Sequence, residues 1–173
     1  AYAQTPMEPV NDVPNPYQTV EGYFQLPEGR KWGATSAVEV DKDGKSIWVG
    51  ERCGANSCAN SPDVDPMLHF DKNGKLIKSF GKGMIIFPHG IHVDRKGNVW
   101  ITDGQDNAPR VAPVAGAAPA APVAGPNPAA TKGHQIFKFS PKGKLLMTIG
   151  KPGGATGAAE CCWQPNDVIT NDK

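Results

Sequence analysis

Short apolar runs separated by polar, glycine-containing turns set the rhythm of this chain. The clearest stretch is Phe87 to Gly104, FPHGIHVDRKGNVWITDG. Ile91-His92-Val93 and Val99-Trp100-Ile101 are β-branched runs, and Asp94-Arg95-Lys96-Gly97-Asn98 between them has the chemistry of a hairpin loop. Ala37 to Arg52 (AVEVDKDGKSIWVGER) repeats the design. Val40-Asp41 falls on Val93-Asp94, Gly44 on Gly97, and Ile47-Trp48-Val49 on Val99-Trp100-Ile101 after a one-residue slip. Each hairpin is followed by a second. Met67 to Gly83 matches Ile136 to Gly153, with Phe70 on Phe139 and Gly74-Lys75-Leu76 on Gly143-Lys144-Leu145. A third copy begins at Gln164-Pro165-Asn166-Asp167-Val168-Ile169-Thr170. No run has a helical period of useful length.

The expected unit is therefore four short strands in two hairpins, recurring at roughly the 50-residue period of β-propeller blades. One blade cannot bury both of its faces, so neighbours must stack. The fold class expected is all-β, a β-propeller of four-stranded antiparallel blades. The blades should occupy residues 35–83 and 87–153, with a third begun at 164 and cut in mid-repeat. Residues 1–16, with Pro6, Pro9, Pro14 and Pro16, read as a poorly ordered lead-in, and 17–173 as a partial propeller. Tyr17 to Leu26 could add a strand to a neighbouring sheet. Residues 105–133 form a loop insertion whose centre, Ala108 to Ala130, is almost all Ala, Pro, Val and Gly. Prolines there block helix and ladder bonding alike.

Composition narrows the function classes. A net charge of +1 over 173 residues gives no dominant basic face, so neither nucleic acid nor a membrane surface is the expected partner. A small-molecule or peptide substrate and a monomeric protein are expected instead. Gly 20 and Pro 17 suit many turns, and no apolar run is long enough to span a bilayer. Ala1-Tyr2-Ala3-Gln4 has the look of a signal-peptide tail, and four cysteines fit an oxidising compartment, so a secreted or periplasmic location is expected.

Several side chains carry candidate chemistry. His89, in Pro88-His89-Gly90, sits on a loop at the head of an inner strand, where an imidazole is available as a metal ligand. His92 falls on the opposite face by strand alternation and reads as packing. Arg52 ends the second strand of the first blade; it either holds a substrate anion or forms a surface ion pair with Glu51 or a nearby Asp. Cys53 and Cys58 could close a small loop beside Arg52, and C-x4-C would equally fit half a metal site. Cys161 and Cys162 are adjacent, so a bond between them would be strained.

The strings Phe87-Pro88-His89-Gly90-Ile91, Gly97-Asn98-Val99-Trp100-Ile101-Thr102-Asp103, His134-Gln135-Ile136-Phe137-Lys138-Phe139 and Cys162-Trp163-Gln164-Pro165-Asn166-Asp167-Val168 resemble NHL repeats. Within that group they are similar to the catalytic propeller of peptidyl-α-hydroxyglycine α-amidating lyase. The resemblance runs from about Thr35 to Thr170, apart from the insertion. It implies a six-bladed ring, of which this chain would hold about half. It also implies a zinc-dependent lyase that cleaves the C–N bond of a carbinolamide to an amide and glyoxylate. His89 would be one of three zinc-binding histidines, the others lying beyond Lys173 with a catalytic tyrosine, so the fragment alone is expected to be inactive. Arg52 would bind the substrate carboxylate. Backbone carbonyls of Val38 and Ile91 would help hold a calcium ion. His134 would be structural, and Cys162 would pair with a cysteine past the end of this chain. Two rival readings remain: a non-enzymatic NHL propeller that binds a peptide or protein, and a calcium-dependent propeller lactonase, which would need a carboxylate-rich site.

Overall fold

The computed structural model describes residues 12–109, 125–155 and 160–171. Eight strands account for its regular structure: β1 (Thr35–Val40), β2 (Ile47–Glu51), β3 (Met67–Phe70), β4 (Leu76–Phe80), β5 (Pro88–Val93), β6 (Val99–Asp103), β7 (Ile136–Phe139) and β8 (Leu145–Ile149). They form two antiparallel sheets, each in simple chain order, β1 to β4 and β5 to β8. There is no helix among the described residues. The all-β expectation holds, and each sheet has the four-stranded meander of a blade.

One turn chemistry makes all four hairpins. The backbone N–H groups of Gly44, Gly74, Gly97 and Gly143 donate to the carbonyls of Asp41, Asp71, Asp94 and Ser140, three residues earlier. Each of these glycines has φ between 67° and 82°, a region costly for residues with a Cβ. In three of the turns the Asp side chain also accepts backbone N–H bonds, as Asp94 does from Lys96 and Asn98. The one-residue slip between the first-blade and second-blade hairpins is the longer Asp41–Ser46 turn, where the extra residue is taken up by Asp43 bonding Lys45 and Ser46.

Strand alternation then sorts the faces. Ala37, Trp48 and Met67 of the first sheet pack with Ile91, Val99, Ile101, Phe137 and Phe139 of the second, closing a core between the sheets. Gly50 lets the sheets approach: a Cβ there would stand 3.2–3.5 Å from Ala37, Pro88 and Ile101. The other face of the first sheet carries Val49, Leu68 and Phe70, covered by Phe24 and Leu26. The segment around Phe24 is thus a cover and not the extra strand anticipated. Its only ladder contact among the described residues is a single bridge from Gln25 to Lys75, because Gly22 (φ 65°) and Pro27 interrupt an extended run.

A matched cluster locks the base of each sheet. In the first, Trp48 Nε1 donates to Asp41 Oδ2, His69 stacks on Trp48 with centroids 3.9 Å apart, and His69 Nε2 lies 3.1 Å from the same carboxylate. In the second, Trp100 bonds Asp94, and Lys138 lies over Trp100 and 3.4 Å from Asp94. His69 and Lys138 do the same job.

The insertion falls between β6 and β7, as anticipated. Its ends are tied together by Asn107, which bonds the backbone of Thr131 and Lys132 and the Thr131 hydroxyl. Residues 1–11 and the insertion's centre, 110–124, lie outside the described residues. The segment Gln164–Asn171, expected to begin a third repeat, has no strand pairing among the described residues and lies against β5 and β6, where Asn166 meets His89 and Thr102 and Thr170 meets His92. It comes so close that a Cβ on Gly90 would be 2.4 Å from the Asn166 carbonyl oxygen.

Candidate functional site

Two buried carboxylates at equal places in the repeat fix the loops around the candidate residues. Glu51, at the end of β2, is fully buried; it accepts the backbone N–H groups of Gly33 and Gly54 and pairs with Arg30 at 2.5 Å. Asp103, at the end of β6, accepts those of Ile86 and Phe87. Where Glu51 has Arg30, Asp103 has only these backbone donors among the described residues. Burial therefore pushes its pKa up to about 7, with the Asp106 carboxylate adding to the effect. Each carboxylate anchors the loop that enters the first strand of its own sheet, β1 or β5.

The loop held by Asp103 carries Phe87, and His89, expected on that loop, is instead the second residue of β5. The Arg52 guanidinium carbon lies 3.3 Å from the centre of the Phe87 ring. The His89 imidazole is nearly parallel to that ring, with centroids 6.2 Å apart. The structure thus gathers Arg52 and His89 round one aromatic ring, although they come from different sheets.

Arg52 is not in the surface ion pair considered from the sequence, because Glu51 is turned toward Arg30. Its Nη1 donates to Asn56 Oδ1 at 2.9 Å, and its buried Nε has no acceptor. Burial lowers its pKa from the usual value. A guanidinium remains charged under such conditions. The result is a cation with a spare donor and, among the described residues, no carboxylate partner.

His89 is half-buried. Its Nδ1 lies 3.0 Å from the Asn166 carbonyl oxygen, so Nδ1 carries the proton and Nε2 keeps its lone pair. That tautomer suits a zinc ligand steadied by a backbone carbonyl. Among the described residues no group of three or more His, Cys, Asp or Glu side chains could hold a metal ion. His89 therefore fits as one ligand, and the described residues do not complete a set. His92 Nε2 is instead 3.0 Å from the Thr170 hydroxyl, and His134 is buried between Asp106 and the Gln164 backbone N–H.

Val38 and Ile91 occupy equal positions on the innermost strands of the two sheets, paired with Val49 and Ile101. Cys53 and Cys58 form a disulfide with Cα atoms 5.1 Å apart, closing the loop that follows Arg52. Cys161 and Cys162 stand side by side across a cis peptide bond, next to Gly150 and Ala155.

A cavity of about 750 Å³ lies elsewhere, at the far end of β5 from His89, lined by Asp94, Trp100, Lys138 and Thr170. In the first sheet the equivalent space is occupied by the neighbouring hairpin turn, with Lys42 against Gly97. The cavity is a gap between the second sheet and the segment that ends at Asn171.

Phe87, Asn56, Asp103 and Thr102 were not singled out from the sequence. Thr102 Oγ1 bonds the Gly90 N–H and the Asn166 carbonyl. Glu51 and Asp103 could have been found from their shared repeat position after WVG and WIT. Asn56 lies in the loop between β2 and β3, whose counterpart between β6 and β7 is the Ala/Pro-rich insertion of different sequence, so repetition gives no signal for it.

These features define an all-β protein whose two sheets fit consecutive blades of an NHL-like propeller, with a cation and an imidazole at one rim. No protein-family profile matches the chain. It is 26% identical over 166 residues to peptidyl-alpha-hydroxyglycine alpha-amidating lyase 2 of Drosophila melanogaster, a match covering 87% of this chain and 33% of the relative. It is 23% identical over 170 residues to peptidyl-glycine alpha-amidating monooxygenase of Mus musculus, covering 85% of this chain and 15% of the relative. A segment of 40 residues, 23% of the chain, is 45% identical to 4% of peptidyl-glycine alpha-amidating monooxygenase A of Xenopus laevis. The chain spans a third or less of these relatives.

Proposed function

We propose that this chain is part of a zinc-dependent propeller lyase that cleaves the C–N bond of a peptidyl-α-hydroxyglycine or a similar carbinolamide, releasing an amide and glyoxylate. The observation that carries the reading is the convergence of Arg52 and His89 on Phe87. Arg52 would hold the substrate carboxylate through its free donors, and its position over Phe87 would fix the plane of that contact. His89, with Nδ1 committed to Asn166, would offer Nε2 to the metal. When bound, zinc would polarise the substrate hydroxyl. Two further histidines and a proton-accepting tyrosine are required from outside this chain. Val38 and Ile91 carbonyls would contribute to a structural calcium site. The Cys53–Cys58 bond supports a secreted or periplasmic setting. A monomer acting on a small-molecule or peptide substrate suits the charge balance.

The test is glyoxylate release from a peptide ending in α-hydroxyglycine, measured with the full-length protein before and after chelation. Release that stops on chelation and returns with zinc supports the reading. No release under either condition overturns it. The 173-residue chain alone should be inactive.

A further inference from the structure

Arg52 lies against Phe87 with its side-chain hydrogen bond made to a neutral acceptor. A carboxylate in that place would orient the guanidinium equally well but would also neutralise it. Asn56 orients without neutralising. The loop that carries Asn56 is closed by the Cys53–Cys58 disulfide, and its backbone conformation is special: Cys53 and Gly54 have φ of 56° and 76°. The same loop is fastened to the residue before Phe87, because Cys58 N–H and the Ser57 hydroxyl both donate to the Ile86 carbonyl. Ile86 and Phe87 are in turn held by Asp103. One disulfide-closed loop therefore sets both the acceptor for Arg52 and the aromatic ring beneath it.

We infer that Asn56, locked in place by the Cys53–Cys58 bond, is the positioning residue that holds the Arg52 guanidinium flat on Phe87 and charged, ready for a carboxylate. The inference rests on the lyase reading for the identity of that carboxylate, but the positioning itself does not depend on it. Reduction would act through the same contact. A dithiol supplies two electrons and two protons, its own thiols become a disulfide, and Cys53 and Cys58 become thiols. The loop then no longer confines Asn56.

Two measurements on the full-length protein separate the possibilities. The first is the rate at which phenylglyoxal, an arginine-specific dicarbonyl, modifies Arg52, followed by mass spectrometry with Arg95 of the second sheet as internal reference. N56A should speed modification about fivefold, the change that freeing one ordinary hydrogen bond allows. N56D should slow it, by pairing the charge. Dithiothreitol should speed the wild-type reaction and leave N56A little changed. The second is steady-state glyoxylate release. N56A should raise KM about tenfold, about 1.4 kcal/mol, with kcat little altered. N56D should raise KM further. Unchanged Arg52 modification in both variants, or a shift shared equally by Arg95, would overturn the inference. An absence of glyoxylate from wild type would sink the lyase reading, and the phenylglyoxal rates would then decide the positioning on their own.

Discussion

His69 and Lys138 occupy the same place in successive sheets, yet acid affects them differently. Each rests on a tryptophan and faces the carboxylate of a hairpin Asp. His69 is buried: desolvation pulls its pKa below 6.5, outweighing the Asp41 charge, which pulls it up. The unfolded chain thus binds this proton more readily than the folded one. Stability is present above about pH 6.5 and is lost as pH falls toward the folded-state pKa. Asp94 also loses its contribution in acid, but for a different reason. Burial would raise its pKa, but hydrogen bonds from Asn98, Trp100 and Lys138 outweigh that and hold it well below the carboxylate range. H69K copies the second sheet into the first. It should fold, and should flatten the fall in melting temperature between pH 7 and pH 5. A fall as steep as that of wild type would show that His69 does not carry the acid sensitivity.

At the scale of elements, the repeat was legible because turn chemistry and alternation recur in register. The Asp-to-Gly turns, the two tryptophans and the alternating core residues all fall where the alignment puts them. The segment from Tyr17 to Leu26 was not legible, since an apolar cover and an edge strand share one composition and only Gly22 and Pro27 separate them. Nor was the partner of Arg52, because Glu51 beside it in sequence points to the opposite side of the strand, toward Arg30. The Gln164–Asn171 segment was recognised as a repeat start, but its intimacy with Gly90 needed coordinates. Gly90 has no positive φ; its lack of a side chain is a matter of space. G90A would set a Cβ 2.4 Å from the Asn166 carbonyl oxygen and 2.7 Å from the Asp167 Cα, backbone atoms that cannot give way as the Asp167 carboxylate can. The segment must shift. Overpacking of this kind costs about 1–3 kcal/mol. Limited proteolysis should cut G90A after Trp163 faster than wild type while β1 to β4 stay protected. Equal cutting would mean that the segment is held by other contacts.

In the molecule as a whole, the strands separate two kinds of residue. Arg52, the disulfide loop, Phe87 and His89 lie at one end, on loops held by Glu51 and Asp103. The tryptophan clusters and the hairpin turns lie at the other, roughly 15 Å away along a six-residue strand such as β5. Loops at the first end contribute little to the core between the sheets, whereas Trp48 and Trp100 seal its far edge or the face beside it. Function and stability should then separate on substitution. H89A removes a half-buried imidazole that bonds the Asn166 carbonyl and lies beside Phe87, and R52K keeps a cation over Phe87 but loses the planar fork. Each should leave the melting temperature of the full-length protein within about 4 °C of wild type, the shift expected for roughly 1 kcal/mol. Glyoxylate release should nevertheless collapse in H89A and show a raised KM in R52K. W100A should do the reverse. It empties the contact with Lys138 and Asp94 at a cost of about 3 kcal/mol and lowers the melting temperature, while the protein that remains folded keeps the wild-type KM. A variant at the Phe87 end that unfolds the protein without changing the KM of the folded fraction would show that these loops serve the fold and not the chemistry.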